Sequence, residues 1–266
     1  MTLGLTLSEL RALVEEAKGV LSAEPAVLRV DVGKVLVIGD LHGDLESLES
    51  SLELVDRYDV LIFLGDFVDR GPHQLEVLAE LMRAKVEFRD RVLLIRGNHE
   101  TAQMNYAYGF YHVVARRFGA GAYGLVAELF SELPIFAVVN GETMAVHGGI
   151  PRGVRSVGEL MGVRKQGEDL EDDVVVQMLW NDPDESIEDF GPSWRGPGIY
   201  TYGRRAVASF LSASGLKRIV RAHEPDPDGL RYSFGGSVIT VFSCRHYGIS
   251  PAALELGPDG PRRVQL

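Results

Sequence analysis

An α/β fold follows from three observations on the sequence. Short apolar runs bounded by turn residues read as buried strands: VLVIGD at 35–40, VLIFLGD at 60–66 and VLLIRGN at 92–98. Two stretches of helical period, Leu45-Leu48-Leu52-Val55 and Leu75-Leu78-Ala79-Met82, lie between them. Strand, helix, strand, helix, strand implies right-handed crossovers and a parallel sheet covered by helices. With 45% hydrophobic and 24% charged residues, the 266-residue chain has the apolar surface to bury a sizeable core, which excludes global disorder.

In order, the chain opens on a helix. Thr6 or Ser8 is its N-cap, and Leu7, Leu10, Leu13, Val14, Ala17 and Leu21 recur at helical spacing over about four turns. This segment carries Glu and Arg among its apolar positions and no small-residue cleavage site, so it reads as neither signal peptide nor membrane span. After the three strands, residues 101–118 and 124–133 continue as helices. IFAVV at 135–139, the Asn140-Gly141 pair and TMAVHGG at 143–149 read as an antiparallel hairpin, because Asn-Gly favours a two-residue turn. Further strands are expected at 218–222, 237–242 and 252–256, so the second half is the more β-rich and is expected to form a second sheet. Residues 167–173 and 181–198 are acidic loops whose charges, as a group, read as solvated surface. No repeat or dividing linker appears, and residues 1–266 read as one domain.

Composition excludes several functions. A formal net charge of −11 argues against nucleic acid or an anionic membrane as partner, since both need clustered positive charge. The one cysteine, Cys244, cannot form an internal disulfide or a thiolate zinc site, which points to a reduced, cytoplasmic protein.

The chemistry is concentrated at strand ends. The first three strands finish in Gly39-Asp40-Leu41-His42-Gly43, Gly65-Asp66-Phe67-Val68-Asp69-Arg70-Gly71 and Gly97-Asn98-His99-Glu100. Carboxyl ends of parallel strands share one edge, where ligands bind in α/β folds. Two later apolar runs finish at His147 and His223. Two carboxylates, an amide carbonyl and three imidazoles suit Mn, Fe or Zn better than Mg or Ca. A carboxylate can bridge two such ions about 3.5–4 Å apart, and the pair generates hydroxide at neutral pH and clamps a displacement at phosphorus. Asp44 reads as the N-cap of the next helix, and His73 and His112 as surface or satisfied residues.

The succession GDLHG, GDFVDRG, RGNHE, HGG and RAHE resembles the PPP family of serine/threonine phosphoprotein phosphatases, which includes phosphatases 1, 2A and calcineurin. AQMNYAYGFYHVVARRFG, ELPIFAVV, MLWNDPDE, WRGPGIYTYG and TVFSCRHYG continue in family order, so the likeness runs from about residue 8 to 248. The resemblance implies a calcineurin-like metallophosphoesterase fold, an αββα sandwich of two mixed sheets flanked by helices. It implies two divalent or transition metal ions, Mn, Fe or Zn, with Mn expected to support activity in vitro. Asp40, His42 and Asp66 would hold the first ion, and Asp66, Asn98, His147 and His223 the second. Arg70 and Arg195, with Asn98, would grip the phosphoryl oxygens, since a guanidinium fork matches phosphate bidentately. His99 would protonate the leaving alkoxide, with Asp69 orienting and charging it. Tyr247 matches the tyrosine of a loop that overhangs the metals.

The implied reaction is hydrolysis of phosphoserine and phosphothreonine monoesters of a phosphoprotein or phosphopeptide substrate by a metal-bridged hydroxide, without a phosphoenzyme. SCRHY departs from the family's loop, and the end at 249–266 is short and divergent, so regulatory subunits cannot be carried over. Arg245 adds a positive group near the site or on the surface. Two other readings stay open: a small-molecule metallophosphoesterase such as a diadenosine polyphosphate hydrolase, and a metal-free scaffold that keeps the fold.

Overall fold

The computed structural model describes residues 4–266. Helix α1 (Leu7–Ser22) starts at Thr6, whose hydroxyl accepts from the Glu9 N–H while the Glu9 carboxylate accepts from the Thr6 N–H, a reciprocal capping box. Its buried stripe is Leu10, Val14, Ala17 and Leu21, and Leu7 stays in solvent. Strands β1 (Val27–Val30) and β2 (Val35–Ile38) follow, then α2 (Leu45–Leu52), capped by Asp44, β3 (Val60–Phe63), α3 (Gln74–Phe88) and β4 (Val92–Leu94). The helix expected over 101–118 is two, α4 (Ala102–Tyr108) and α5 (Phe110–Phe118), because Gly109 at φ 105° ends the first with a left-handed residue.

After α6 (Tyr123–Ser131), β5 (Phe136–Val139) and β6 (Thr143–Val146) form the expected antiparallel hairpin. Asn140 and Gly141 both have positive φ, 52° and 63°, as a type I′ turn needs. Val139 pairs with Thr143, so Glu142 also lies outside the ladder and the loop has one residue more than expected.

Helices α7 (Val157–Leu160) and α8 (Asp173–Trp180) lead into the segment read as a loop over 181–198. It folds in part into a small sheet of β7 (Asp182–Pro183), β8 (Phe190–Pro192) and β9 (Tyr200–Tyr202). The chain ends with α9 (Arg204–Ser214), β10 (Arg218–Arg221), β11 (Leu230–Ser233), β12 (Val238–Val241), β13 (Ala252–Gly257) and β14 (Gly260–Gln265).

Two larger sheets stack. One runs β14-β13-β2-β3-β4, with β2, β3 and β4 parallel and β13 antiparallel to β2; the other runs β1-β5-β6-β10-β12-β11. The expectation that the second half of the chain forms the second sheet fails in part, because β1 from the first half joins it and β13 and β14 leave it for the other. The chain exchanges strands between the sheets because both are apolar on two faces. Leu254 of β13 faces the other sheet while Ala253 faces the helices, and Leu28 and Val30 of β1 face inward.

Alternation builds the layers. Val35, Val37, Val60 and Ile62 meet Ala137, Val139, Val220, Ile239 and Val241 between the sheets. Leu36, Ile38, Leu61 and Phe63 point the other way, onto α1, α3, α5 and α6. Met144, Val146, Ile219 and Val238 pack under α7, α8 and α9. The result is the αββα sandwich. No helix among the described residues is long and apolar enough to cross a membrane.

The two sheets touch at one rim. β6 and β10 are parallel, as are β2, β3 and β4, and a parallel bridge between Asp40 and Phe242 joins the sheets there. Backbone approach is close: a Cβ on Gly65 would lie 2.2 Å from the Gly97 nitrogen, and one on Gly97 would lie 2.3 Å from Asp66 Oδ1.

Candidate active site

All five strand-end clusters meet at this rim. Asp40, His42, Asp66, Asn98, His147 and His223 are all buried. Asp66 is central: its carboxylate lies 3.5 Å from His42 Nε2, 3.4 Å from His147 Nε2 and 4.0 Å from His99 Nε2, and Oδ1 accepts the His99 backbone N–H at 2.9 Å. Asp40 Oδ1 accepts the His223 N–H at 2.8 Å, and its Oδ2 is 3.6 Å from His42 Nε2. His147 Nε2 is 2.9 Å from Asn98 Oδ1 and 3.1 Å from His223 Nδ1.

The backbone is bent to achieve this. His42, Asp66, Asp69, Arg70 and His223 are five of the eight non-glycine residues at positive φ among those described. Such conformations cost energy and persist where the surroundings enforce them. At Asp66 the enforcement comes from Glu100, whose fully buried carboxylate accepts the N–H groups of Asp66, Phe67 and Gly97 at 2.8–2.9 Å.

Electrostatics follow from burial and crowding. Burial disfavours charge on Asp66, but the charges of His147, His99 and His42 outweigh it and hold the carboxyl well below the ordinary range. Burial also opposes a proton on His147, yet the Asp66 charge pushes it up to about 9. His223 goes the other way, held well below normal by burial and by the charge of His147. Glu100 rises to about 7 through burial and the charge of Asp66.

The donor set fits divalent cations. His42 and His147 each direct Nδ1 at a backbone carbonyl, Val68 at 2.9 Å and Leu64 at 2.8 Å, which leaves Nε2 aimed inward. His223 Nε2 is buried without a hydrogen-bond partner. Acceptor atoms of Asp66, Asn98 and His223 converge on His147 Nε2, a demand for positive charge that a metal ion meets. Among the described residues two groups of possible ligand atoms lie within 4.8 Å of one another, His42/Asp66/His99 and Asp66/His147/His223, and Asp66 belongs to both. Asp40 belongs to neither group, although its Oδ2 is 3.6 Å from His42 Nε2, while His99 falls inside the first.

His99 has a different attachment. Its Nδ1 is 2.8 Å from Asp69 Oδ2, which also accepts from Asn105 Nδ2 at 2.9 Å, and Asp69 Oδ1 accepts the Phe110 N–H at 2.9 Å. Asp69 thus serves His99 and not a local pair with Arg70. Arg70 is exposed, its guanidinium 4.3 Å from the Tyr108 ring centre. Arg195 donates Nε to Asp182, and its other guanidinium nitrogens have no hydrogen-bond partner among the described residues. Tyr247 stacks on His42 at 5.8 Å between ring centres. Arg70, Arg195, His99, Asn98 and Tyr247 line one cavity of about 450 Å³ with Asp40, His42, Asp66 and His223. Arg245 turns away: its backbone N–H and Nε bond Asp44 at 2.7 and 3.2 Å and its guanidinium pairs with Glu46, so it serves the start of α2.

The family model described as calcineurin-like phosphoesterase matches residues 33–227. The chain belongs to that family. A serine/threonine-protein phosphatase 4 catalytic subunit from Kluyveromyces lactis is 37% identical over 253 residues, covering 91% of this chain and 80% of that protein. The protein of the same description from Eremothecium gossypii is 36% identical over 250 residues, with the same shares. Among solved structures, a protein serine/threonine phosphatase from Saccharomyces cerevisiae, described as similar to human phosphatase PP5, matches at TM-score 0.88 and 25% identity, over 98% of this chain and 90% of that one. The family implies divalent metal ions, in agreement with the donor set.

Three residues of this calcineurin-like phosphoesterase site carry weight that sequence reasoning missed. Glu100 stood in a quoted motif without a role. Asp182 was counted with the solvated acidic loop, yet it is buried and joins Arg195 to the fully buried Arg221, which also donates to the Gly148 carbonyl at 2.7 Å. Nothing separates Asp182 from its acidic neighbours in sequence. Arg221 had a signal, a charge between Val220 and Ala222 inside an apolar strand. Asp182→Ala is expected to release Arg195 and strip Arg221 of a partner. Stability should fall by about 3–5 kcal/mol in thermal or denaturant unfolding, and KM for a phosphorylated substrate should rise more than kcat falls.

Proposed function

We propose that this chain is a metal-dependent phosphoprotein phosphatase that hydrolyses phosphoserine and phosphothreonine monoesters. The observation that carries the reading is the convergence of six ligand-type side chains, five of which line one cavity beside two arginines while His147 sits fully buried against Asp66, Asn98 and His223. Asp40, His42 and Asp66 would hold one ion and Asp66, Asn98, His147 and His223 a second, with Mn, Fe or Zn suited to nitrogen and oxygen donors. When bound, such ions supply Lewis-acid polarisation of phosphoryl oxygens and a lowered pKa for water.

The chain's own groups do the rest. Arg70 and the other nitrogens of Arg195 bind and orient the phosphoryl oxygens, with Asn98 beside them. Asp69 fixes the Nδ1 side of His99, so Nε2 is the atom that faces the substrate and delivers a proton to the leaving alkoxide. Tyr247, stacked on His42, covers the metal side of the pocket. Cys244 is a poor covalent nucleophile: it is buried and its thiol is pushed up to about 12 by burial.

Residues 1–266 act as one catalytic domain in this reading, because β13 from the divergent end pairs with β2, which leads to Asp40. A reduced compartment such as the cytoplasm suits a lone buried cysteine. The test compares Mn-loaded protein on phosphoserine and phosphothreonine peptides and on diadenosine tetraphosphate. Peptide hydrolysis should dominate in kcat/KM; a large preference for the dinucleotide would support the small-molecule reading instead.

A further inference from the structure

Trp194 is 85% exposed, the most exposed large apolar side chain among the described residues. It is not stray surface, since it lines the same cavity as the ligand-type residues. The Arg195 guanidinium lies 5.0 Å from its ring centre, as Arg70 lies 4.3 Å from that of Tyr108. Each arginine that faces the phosphate is therefore backed by an aromatic ring, Tyr108 at the end of α4 and Trp194 between β8 and β9. A large indole left in solvent at the mouth of a site is a contact surface awaiting an apolar group.

Resting on the phosphatase reading above, we propose that the solvent-facing surface of Trp194 is a subsite for an apolar side chain next to the phosphorylated residue of a peptide substrate. Trp194 and Arg195 are consecutive, about 3.8 Å apart at Cα. A peptide whose phosphate meets Arg195 therefore lays a side chain one or two positions away over the indole. Charge narrows the choice. A basic side chain there would approach the Arg195 guanidinium 5.0 Å from the ring, and the carboxylate of an acidic one would compete with the phosphate for that same guanidinium. An apolar side chain meets neither cost and gains burial.

The test uses Mn-loaded protein and phosphoserine peptides that differ only in Leu, Ala, Glu or Arg beside the phosphoserine, with p-nitrophenyl phosphate as a substrate lacking any peptide. The Leu peptide should exceed the Ala peptide by about tenfold in kcat/KM, the scale of an added apolar contact. Trp194→Ala should abolish that preference through KM and lower the ratio of Leu-peptide to aryl-phosphate kcat/KM by a similar factor, and Trp194→Phe should restore most of it. A second readout is emission: a phosphonate analogue of the Leu peptide should blue-shift the wild-type spectrum more than an Ala analogue does, and Trp194→Phe should remove that difference, leaving only the common response of Trp180, which lines the same cavity. Equal Leu and Ala rates overturn the proposal. So does an equal loss on peptide and aryl phosphate in Trp194→Ala, which would mean that the ring acts only through Arg195. Wild-type protein that hydrolyses the aryl phosphate but no peptide would instead overturn the phosphatase reading beneath it.

Discussion

Asp66→Asn is expected to lower kcat/KM on a phosphopeptide by about a thousandfold or more, the scale of several kcal/mol of lost transition-state stabilisation. The change preserves shape, and the amide oxygen can still accept the His99 N–H, so the fold should survive. What disappears is the one charge that faces His42, His99 and His147 together and belongs to both possible ligand groups. Metal content, measured by elemental analysis after Mn loading, should fall with activity. Unchanged metal content would take Asp66 out of the ligand set, and no metal uptake by either protein together with unchanged ligand binding would favour a scaffold that uses no metal.

His99→Asn should lower kcat by about 10²–10⁴-fold on peptides, the usual contribution of a positioned general acid, while metal content stays at the wild-type level. The two effects separate an acid from a ligand, a useful distinction because His99 Nε2 lies within reach of Asp66 as a ligand would. The leaving group sharpens the result. A serine alkoxide needs a proton and p-nitrophenolate does not, so the variant should lose far less on p-nitrophenyl phosphate. Asp69→Asn should show the same leaving-group pattern, because it removes the carboxylate that holds Nδ1. Loss of bound metal in His99→Asn, with equal losses on both substrates, would move His99 into the ligand set.

The sequence made the layered fold and the rim legible because both rest on local patterns. Apolar runs ending at Asp40, Asp66, Asn98, His147 and His223 specify where buried strands stop, and parallel strands bring their ends together. Pairings at long range were not legible. β13 joins β2 across more than two hundred residues of chain, and a strand apolar on both faces fits either sheet. The break at Gly109 was missed because the helical period continues on both sides of it. Asp182 was missed because burial of an acidic residue depends on a distant arginine, Arg221, and loop composition carries no trace of that. The positive φ values of His42, Asp66, Asp69, Arg70 and His223 were equally invisible, since only tertiary contacts such as the Glu100 carboxylate enforce them.

If five strand ends build one metal-dependent centre for phosphoester hydrolysis, stripping the wild-type protein with chelator should abolish phosphoserine-peptide turnover, and titrating Mn back should restore it to a plateau near two equivalents of Mn per chain. Full hydrolysis by the stripped protein, or none at any level of added Mn, Fe or Zn, would show that the rim is not such a centre.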